Sequence, residues 1–411
     1  MIKRIISTST YSLFSRFFIT ASNLYLIFFI SRYMGKGDLG TYGILFFFFQ
    51  LFSFLSSMNL YLFFGKEIAN VKDDSICWEK YFHEFISATT IGFFLSLFFL
   101  VLFGLTYSKV SLILLVLSFI AGVFLGMERN LGGIVLGREK MNVEFYANFF
   151  SFLLIISLLI LKPNFFNSLE KIFILRITAL ISSVIIKIIF IKDMIIFKNF
   201  RIRLQFFREG KFYWFTGISN LLIRQIDIFI LSFFISRSLL GAYFLALRIY
   251  FSFGIIGEVI TMALTPFISR TYRGKEKRGF IEFNRKLFKI FFVIALFSAV
   301  FLFLSRSFIV SLFSTEYIAD TSFYLLFLSF LIFFRFFSYS TGSILTSTEF
   351  QNIRFYIVVI SAVVIIVLNL ISAPLFGING VLISRGIVEI FIFFGYGYFV
   401  RKILKEYKIK T

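Results

Sequence analysis

The chain has 411 residues, of which 59% are hydrophobic and only 15% charged, against roughly 25% charged in an ordinary soluble domain. Its formal net charge is +21 and its mean hydropathy +0.93, with 67 phenylalanines that no soluble core of this length could hide. A single cysteine, Cys77, and a single histidine, His83, exclude a disulfide framework and a zinc cluster of the Cys/His kind.

The N-terminal stretch Met1 to Arg4 is basic and runs into Ser7-Thr8-Ser9-Thr10. No short apolar core with a small-residue cleavage site follows, so this end is expected to be retained. Apolar spans of about 20 residues or more are predicted at 10–33, 41–64, 81–106, 111–136, 142–161 and 168–191. A second set is predicted at 212–236, 242–267, 287–305, 321–346, 353–373 and 377–400. The expected fold is all-α and integral to a membrane, with about twelve transmembrane helices.

The two sets are related. Phe28-Phe29-Ile30-Ser31-Arg32 returns letter for letter as Phe233-Phe234-Ile235-Ser236-Arg237, and Gly40-Thr41-Tyr42 as Gly241-Ala242-Tyr243. Further on, Ile134 to Tyr146 is echoed by Ile344 to Tyr356. Two echoes in the same order at nearly one offset imply duplication, with six-helix bundles at 1–205 and 206–411. Six spans is an even number, so both halves enter the membrane from the same side as parallel repeats. Duplicated halves of this kind point to a transporter with its site at their interface.

The placement of the basic residues explains the net charge without nucleic acid. They collect in alternate loops: Lys66, Lys72, Arg138 and Lys140, then six from Lys192 to Lys211, then Arg270 to Arg278, then the tail from Arg401 to Lys410. The opposite side offers little more than Arg32, Lys36, Lys109, Lys162, Arg237 and Arg306. This bias predicts that both termini and the loops 192–211 and 269–286 are cytoplasmic, the basic runs meeting anionic membrane lipids.

Arg16, Arg176, Arg224, Arg248, Arg335 and Arg385 are predicted inside spans, with Glu128, Asp227, Glu258 and Glu389 as acidic company. A charge near the bilayer centre costs about 2.5–3.5 kcal/mol, so it is expected to face a cavity or a partner. Arg224 and Asp227, three apart, and Arg385 and Glu389, four apart, can each pair on one helix face. Glu128 and Arg129 are adjacent and point to different faces. Lys187 and His83 lie near span ends, where snorkelling is expected. Arg16, Arg176, Arg248 and Arg335 have no acid close enough along their own helix to meet them on one face. They either pair across helices or share a water-filled cavity whose positive field suits an anion. Arginine's planar fork matches phosphate in particular. The candidate substrate-binding residues are therefore Arg16, Arg248 and Arg335, with Arg224. Asp227 and Glu258 are the candidates for coupling to a proton or sodium ion. No cofactor and no metal are expected. Neither a Walker loop nor a long external loop with paired carboxylates is present, so enzyme activity is not expected.

Ser31 to Gly43 (SRYMGKGDLGTYG) resembles the first external turn of polysaccharide flippases. Asp227-x-x-Ile230-Leu231, followed by Gly241-Ala242-Tyr243 and Pro266-Phe267-Ile268-Ser269, is similar to their seventh and eighth spans. Leu375-Phe376-Gly377-Ile378-Asn379-Gly380 resembles their entry to span twelve. The chain thus resembles the O-antigen type of the oligosaccharide-lipid flippase branch within the multidrug/oligosaccharidyl-lipid/polysaccharide exporter superfamily. The resemblance implies a V-shaped pair of six-helix bundles rocking between inward- and outward-open states in the cytoplasmic (inner) membrane. It implies an undecaprenyl-pyrophosphate-linked oligosaccharide as cargo, with Arg16 and Arg248 flanking the pyrophosphate near a gap between spans one and eight. A polysaccharide polymerase and glycosyltransferases are implied as partners. A multidrug/cation antiporter of the same fold would want a negative cavity, whereas here arginine outnumbers acid within the spans. A membrane glycosyltransferase is the enzyme alternative.

Overall fold

A computed structural model of the chain describes residues 2–70, 75–192, 205–273, 277–348 and 350–409. Most of the basic loop 192–211, and the centre of the loop 269–286, lie outside the described residues. Among the described residues every regular element is helical. The helices are α1 (Ile2–Tyr33), α2 (Lys36–Ser57), α3 (Tyr61–Asn70), α4 (Ser75–Thr106), α5 (Leu112–Gly137), α6 (Met141–Leu161) and α7 (Leu169–Ile191). They continue as α8 (Gln205–Leu231), α9 (Arg237–Arg273), α10 (Lys277–Phe313), α11 (Ile318–Ser347) and α12 (Gln351–Ile409).

Eleven of these are long and apolar enough to cross a membrane, and the last such stretch, Gln351–Lys405, has 55 residues. It is a hairpin of two spans. Gly377, just after Pro374, sits at φ 56° and ψ −134°, a conformation that glycine adopts without steric cost. Beyond it the chain reverses: the Ser372 and Ser384 hydroxyls lie 3.0 Å apart. In a continuous helix twelve residues would separate them by about 18 Å. The chain is therefore a multi-pass membrane protein of about twelve spans, as its composition demanded. The outward residues fit this: Leu105 is 83% exposed, Leu304 73% and Phe297 68%, which only a lipid surround makes cheap.

Span two departs from expectation. The predicted helix 41–64 stops at Ser57, because Met58 and Asn59 take left-handed conformations (φ 50° and 51°), and α3 restarts at Tyr61. The Asn59 side chain fixes this break by donating to the Tyr213 carbonyl at 2.9 Å.

Packing divides the chain into two compact units, Met1–Leu221 and Leu222–Thr411, with the division falling inside α8. In unit 1, α2 is buried along almost its whole length and α5 packs on α2, α4 and α7. In unit 2, α11 packs on α9, α10 and α12. The fourth span of each repeat thus meets the second, third and sixth of its own unit, so the duplication seen in the sequence is also a duplication of packing.

Candidate functional site

A polar triad recurs in both units, contributed by the first, second and sixth spans. In unit 1 Arg176 (α7) donates to the Tyr42 hydroxyl (α2) at 2.6 Å and to Asn23 Oδ1 (α1) at 2.5 Å. Its guanidinium lies 4.0 Å from the Phe49 ring centroid. In unit 2 Arg385 (α12) donates to Asp227 Oδ2 (α8) at 2.5 Å, and the Tyr243 hydroxyl (α9) donates to the same oxygen at 2.6 Å. An amide stands in unit 1 where unit 2 has a carboxylate, and the tyrosine hydroxyl accepts from the arginine in unit 1 and donates to the acid in unit 2. Asn23→Asp is accordingly expected to raise the melting temperature, with a gain of about 1 kcal/mol from a charge-assisted bond. The gain should vanish in an Arg176→Gln background, as thermal unfolding in detergent would show.

Unit 2 gathers more charge than any spacing on one helix suggested. Around the single ring of Phe251 (α9) lie four guanidiniums, Arg335 at 4.8 Å, Arg385 at 5.4 Å, Arg224 at 5.9 Å and Arg248 at 6.0 Å from its centroid. A ring has two faces, so its quadrupole cannot hold four cations, and carboxylates share the task. Asp227 holds Arg385 at 2.5 Å, Glu389 holds Arg335 at 2.5 Å, and Glu258 holds Arg224. Arg248 donates to the neutral Gln225 Oε1 at 2.6 Å. Among the described residues, four guanidiniums surround the ring with three carboxylates between them. The inner pairs are sealed, with side chains 0–8% exposed, whereas Arg224 is 41% and Glu258 22% exposed. Tyr339 joins the two zones: Arg335 Nε donates to its hydroxyl at 3.0 Å, and that hydroxyl donates to Glu258 at 3.1 Å. The phenol fits because α9 offers Gly257 beneath it, where a Cβ would come within 2.6 Å of the Tyr339 ring.

These contacts correct two expectations. The intrahelical pairs Arg224–Asp227 and Arg385–Glu389 exchange partners for acids and bases on other helices. Arg335, which has no acid within a turn along its own helix, finds Glu389 across the helix interface. Lys187 and His83 do not snorkel, being 0% and 2% exposed. The Lys187 ammonium sits 2.5 Å from Glu128 (α5) and 2.5 Å from Glu144 (α6), and also donates to the Glu128 carbonyl at 3.2 Å. Glu128 and Arg129 do diverge, Arg129 reaching Gln50 at 3.0 Å. Arg16 lies in unit 1 beside the Tyr61 hydroxyl, and Arg224, Arg248, Arg335, Asp227 and Glu258 are all brought together in unit 2. The reading of the sequence missed Phe251, Tyr339, Gln225 and Glu144. Neutral aromatics carry no signal in a chain so rich in them, although the echo of Tyr42 in Tyr243 marked one corner of the triad. Among the described residues no group of three or more His, Cys, Asp or Glu side chains could hold a metal ion.

The family model described as polysaccharide biosynthesis protein matches residues 8–272, more than half of the chain. The chain belongs to that family. A second family model, MatE, matches residues 214–371. Among solved structures, the lipid II flippase MurJ in an inward closed conformation is similar with TM-score 0.70 at 17% identity, over 98% of this chain and 90% of that one. An inward-facing multidrug resistance MATE family transporter of the MOP superfamily gives 0.69 at 16%, over 95% and 96%. A MOP superfamily transporter from Pyrococcus furiosus gives 0.65 at 14%, over 99% and 96%. No curated protein matches. Such identities speak for the fold, that of the MOP-superfamily transporters. With the family they identify a membrane protein of polysaccharide biosynthesis that has this fold.

Proposed function

We propose that this family member flips an undecaprenyl-pyrophosphate-linked oligosaccharide, an O-antigen or related surface-polysaccharide repeat unit, across the cytoplasmic membrane by alternating access. The supporting observation is the gathering of four arginines around Phe251, whose guanidiniums and partly open Arg224 suit the cargo's pyrophosphate. A cationic drug finds no comparable attraction there, which disfavours the multidrug antiporter. The Pyrococcus furiosus transporter is itself described as having a binding pocket of reverse polarity that suggests a different function. The one-sided distribution of Lys and Arg supports cytoplasmic termini. Partners in this reading are the lipid-linked cargo, membrane lipids, and the glycosyltransferases and polymerase that make and extend it.

The test is surface glycan in cells that depend on this chain. Arg248→Ala and Arg224→Ala are expected to cut it at least tenfold with protein level unchanged, and Arg248→Lys to restore part of it, since an ammonium keeps the charge and loses the fork. Arg16→Ala probes the arginine of unit 1 in the same assay. Normal glycan in all of the alanine variants would refute the proposal.

A further inference from the structure

The two repeats treat one corresponding position in different ways. The echo of Ile134–Tyr146 in Ile344–Tyr356 sets Arg354, in the first turn of α12, where unit 1 has Glu144 in the first turn of α6. Glu144 meets the Lys187 ammonium at 2.5 Å, so unit 1 draws this counter-ion from its own sixth span. The same step along the sequence from Lys187 lands on Gly397, which has no side chain to offer. Arg354 holds two hydroxyls instead. Its Nη1 donates to Thr346 Oγ1 at 2.6 Å, and its guanidinium is bonded to Tyr396, itself 5% exposed. The Thr346 hydroxyl gives its own proton to the Gly342 carbonyl at 2.7 Å, which turns its lone pairs to the arginine. Among the described residues no carboxylate pairs with Arg354, and its buried Nε has no hydrogen-bond partner. A guanidinium has about five N–H donors, and two neutral acceptors leave it short of partners.

The depth of this guanidinium decides what can complete it. Gly395, in the second arm of the α12 hairpin, packs on Ile357 of the first, since a Cβ there would lie 3.3 Å from Ile357 Cδ1. The arms run antiparallel, so one turn further out Tyr398 stands about level with Arg354. Tyr398 is 67% exposed, and Tyr356, two residues from the arginine, is 60% exposed. Tyrosines on a lipid face gather at the headgroup level, where the ring stays in hydrocarbon and the hydroxyl reaches water. Arg401 and Lys402, both exposed, follow about 5 Å further out. A half-buried guanidinium without a carboxylate therefore lies at the depth of the lipid phosphates, with two more cations just beyond it.

We propose that Arg354, held by Thr346 and Tyr396, is a binding site for the phosphate of an anionic phospholipid. The lipid's phosphodiester is to Arg354 what Lys187 is to Glu144, the counter-ion that the sixth span of unit 2 does not carry. The planar fork of a guanidinium matches two phosphate oxygens, and Arg401 and Lys402 favour a headgroup with net negative charge over a zwitterionic one. Free phosphate has the same recognition chemistry without the acyl chains. The site shares no residue with the cluster around Phe251, so it is independent of the cargo. Gly397 gives a means of testing it, because a Cβ there meets nothing within 4 Å. Gly397→Glu places a carboxylate in the register of Lys187 and offers Arg354 an internal counter-ion.

The experiment is native mass spectrometry of the purified full chain from micelles doped with equal amounts of phosphatidylglycerol and phosphatidylcholine. The unaltered protein is expected to retain phosphatidylglycerol in preference. Arg354→Gln should lower that retention about fivefold, the effect of one basic group at an anionic surface. Arg354→Lys should keep part of it, having the charge without the fork. Gly397→Glu should lower it as far as Arg354→Gln does, although every basic residue is still in place. The melting temperature of Gly397→Glu without added lipid should be no lower than that of the unaltered chain, which separates loss of the site from loss of the fold. Retention by Arg354→Gln and Gly397→Glu equal to that of the unaltered protein overturns the site. Equal retention of the two lipids by the unaltered protein overturns the anionic class. Displacement of the lipid by inorganic phosphate assigns the site to a free anion and overturns the phospholipid.

Discussion

Asp227→Leu is expected to remove most folded protein from the membrane, because it leaves Arg385, 1% exposed, without its carboxylate. Breaking a buried pair by deleting one partner costs about 3–5 kcal/mol, a large part of the stability of a single domain. The loss should be reversed by Arg385→Met in the same chain, which exchanges the pair for apolar packing of similar volume. Arg224→Gln should not rescue it, even though Arg224 is the basic residue three positions away on the same helix. Asp227→Asn should be much milder, since unit 1 already holds Arg176 with Asn23 and Tyr42. Gel-filtration yield and thermal unfolding of the four variants decide the matter. Rescue by Arg224→Gln and not by Arg385→Met would overturn the pairing.

Lys187→Met is the corresponding lesion in unit 1, and the more damaging one. The ammonium is the shared counter-ion of Glu128 and Glu144, so its loss leaves two carboxylates facing each other among α5, α6 and α7. Each uncompensated charge again costs on the order of several kcal/mol unless it takes up a proton. The expected outcome is near-complete loss of folded chain at neutral pH. Lys187→Met combined with Glu128→Gln and Glu144→Gln should recover much of it. Lys187→Arg should not substitute well, because a planar guanidinium does not match a pocket in which three donors diverge from one nitrogen. Stability of Lys187→Met equal to that of the unaltered chain would show that the ammonium is not buried.

The sequence by itself determined the class of this protein. Length and hydropathy of the spans dictate membrane helices, because no other solvent accommodates so much apolar surface. The repeated Phe28–Arg32 and Tyr42 segments dictate two like bundles, because equal sequences pack alike. Even the residues of the charged cluster were legible, since an arginine in a lipid span must be accounted for. Their partners were not. Spacing along a helix places Arg224 near Asp227 and Arg385 near Glu389, but neighbours on one helix compete with neighbours across an interface. Here α8, α9, α11 and α12 approach closely enough that Asp227, Glu258 and Glu389 each find a better-placed base on another helix. Lys187 illustrates the same limit from the other side. Near the end of a span it could reach water by extending its stem, and it turns inward because two acids from other helices wait there. Which ions exist is written in the chain. Which ions meet is decided by helix packing, because electrostatic pairing in a low dielectric depends on ångström distances that only the assembled bundle sets.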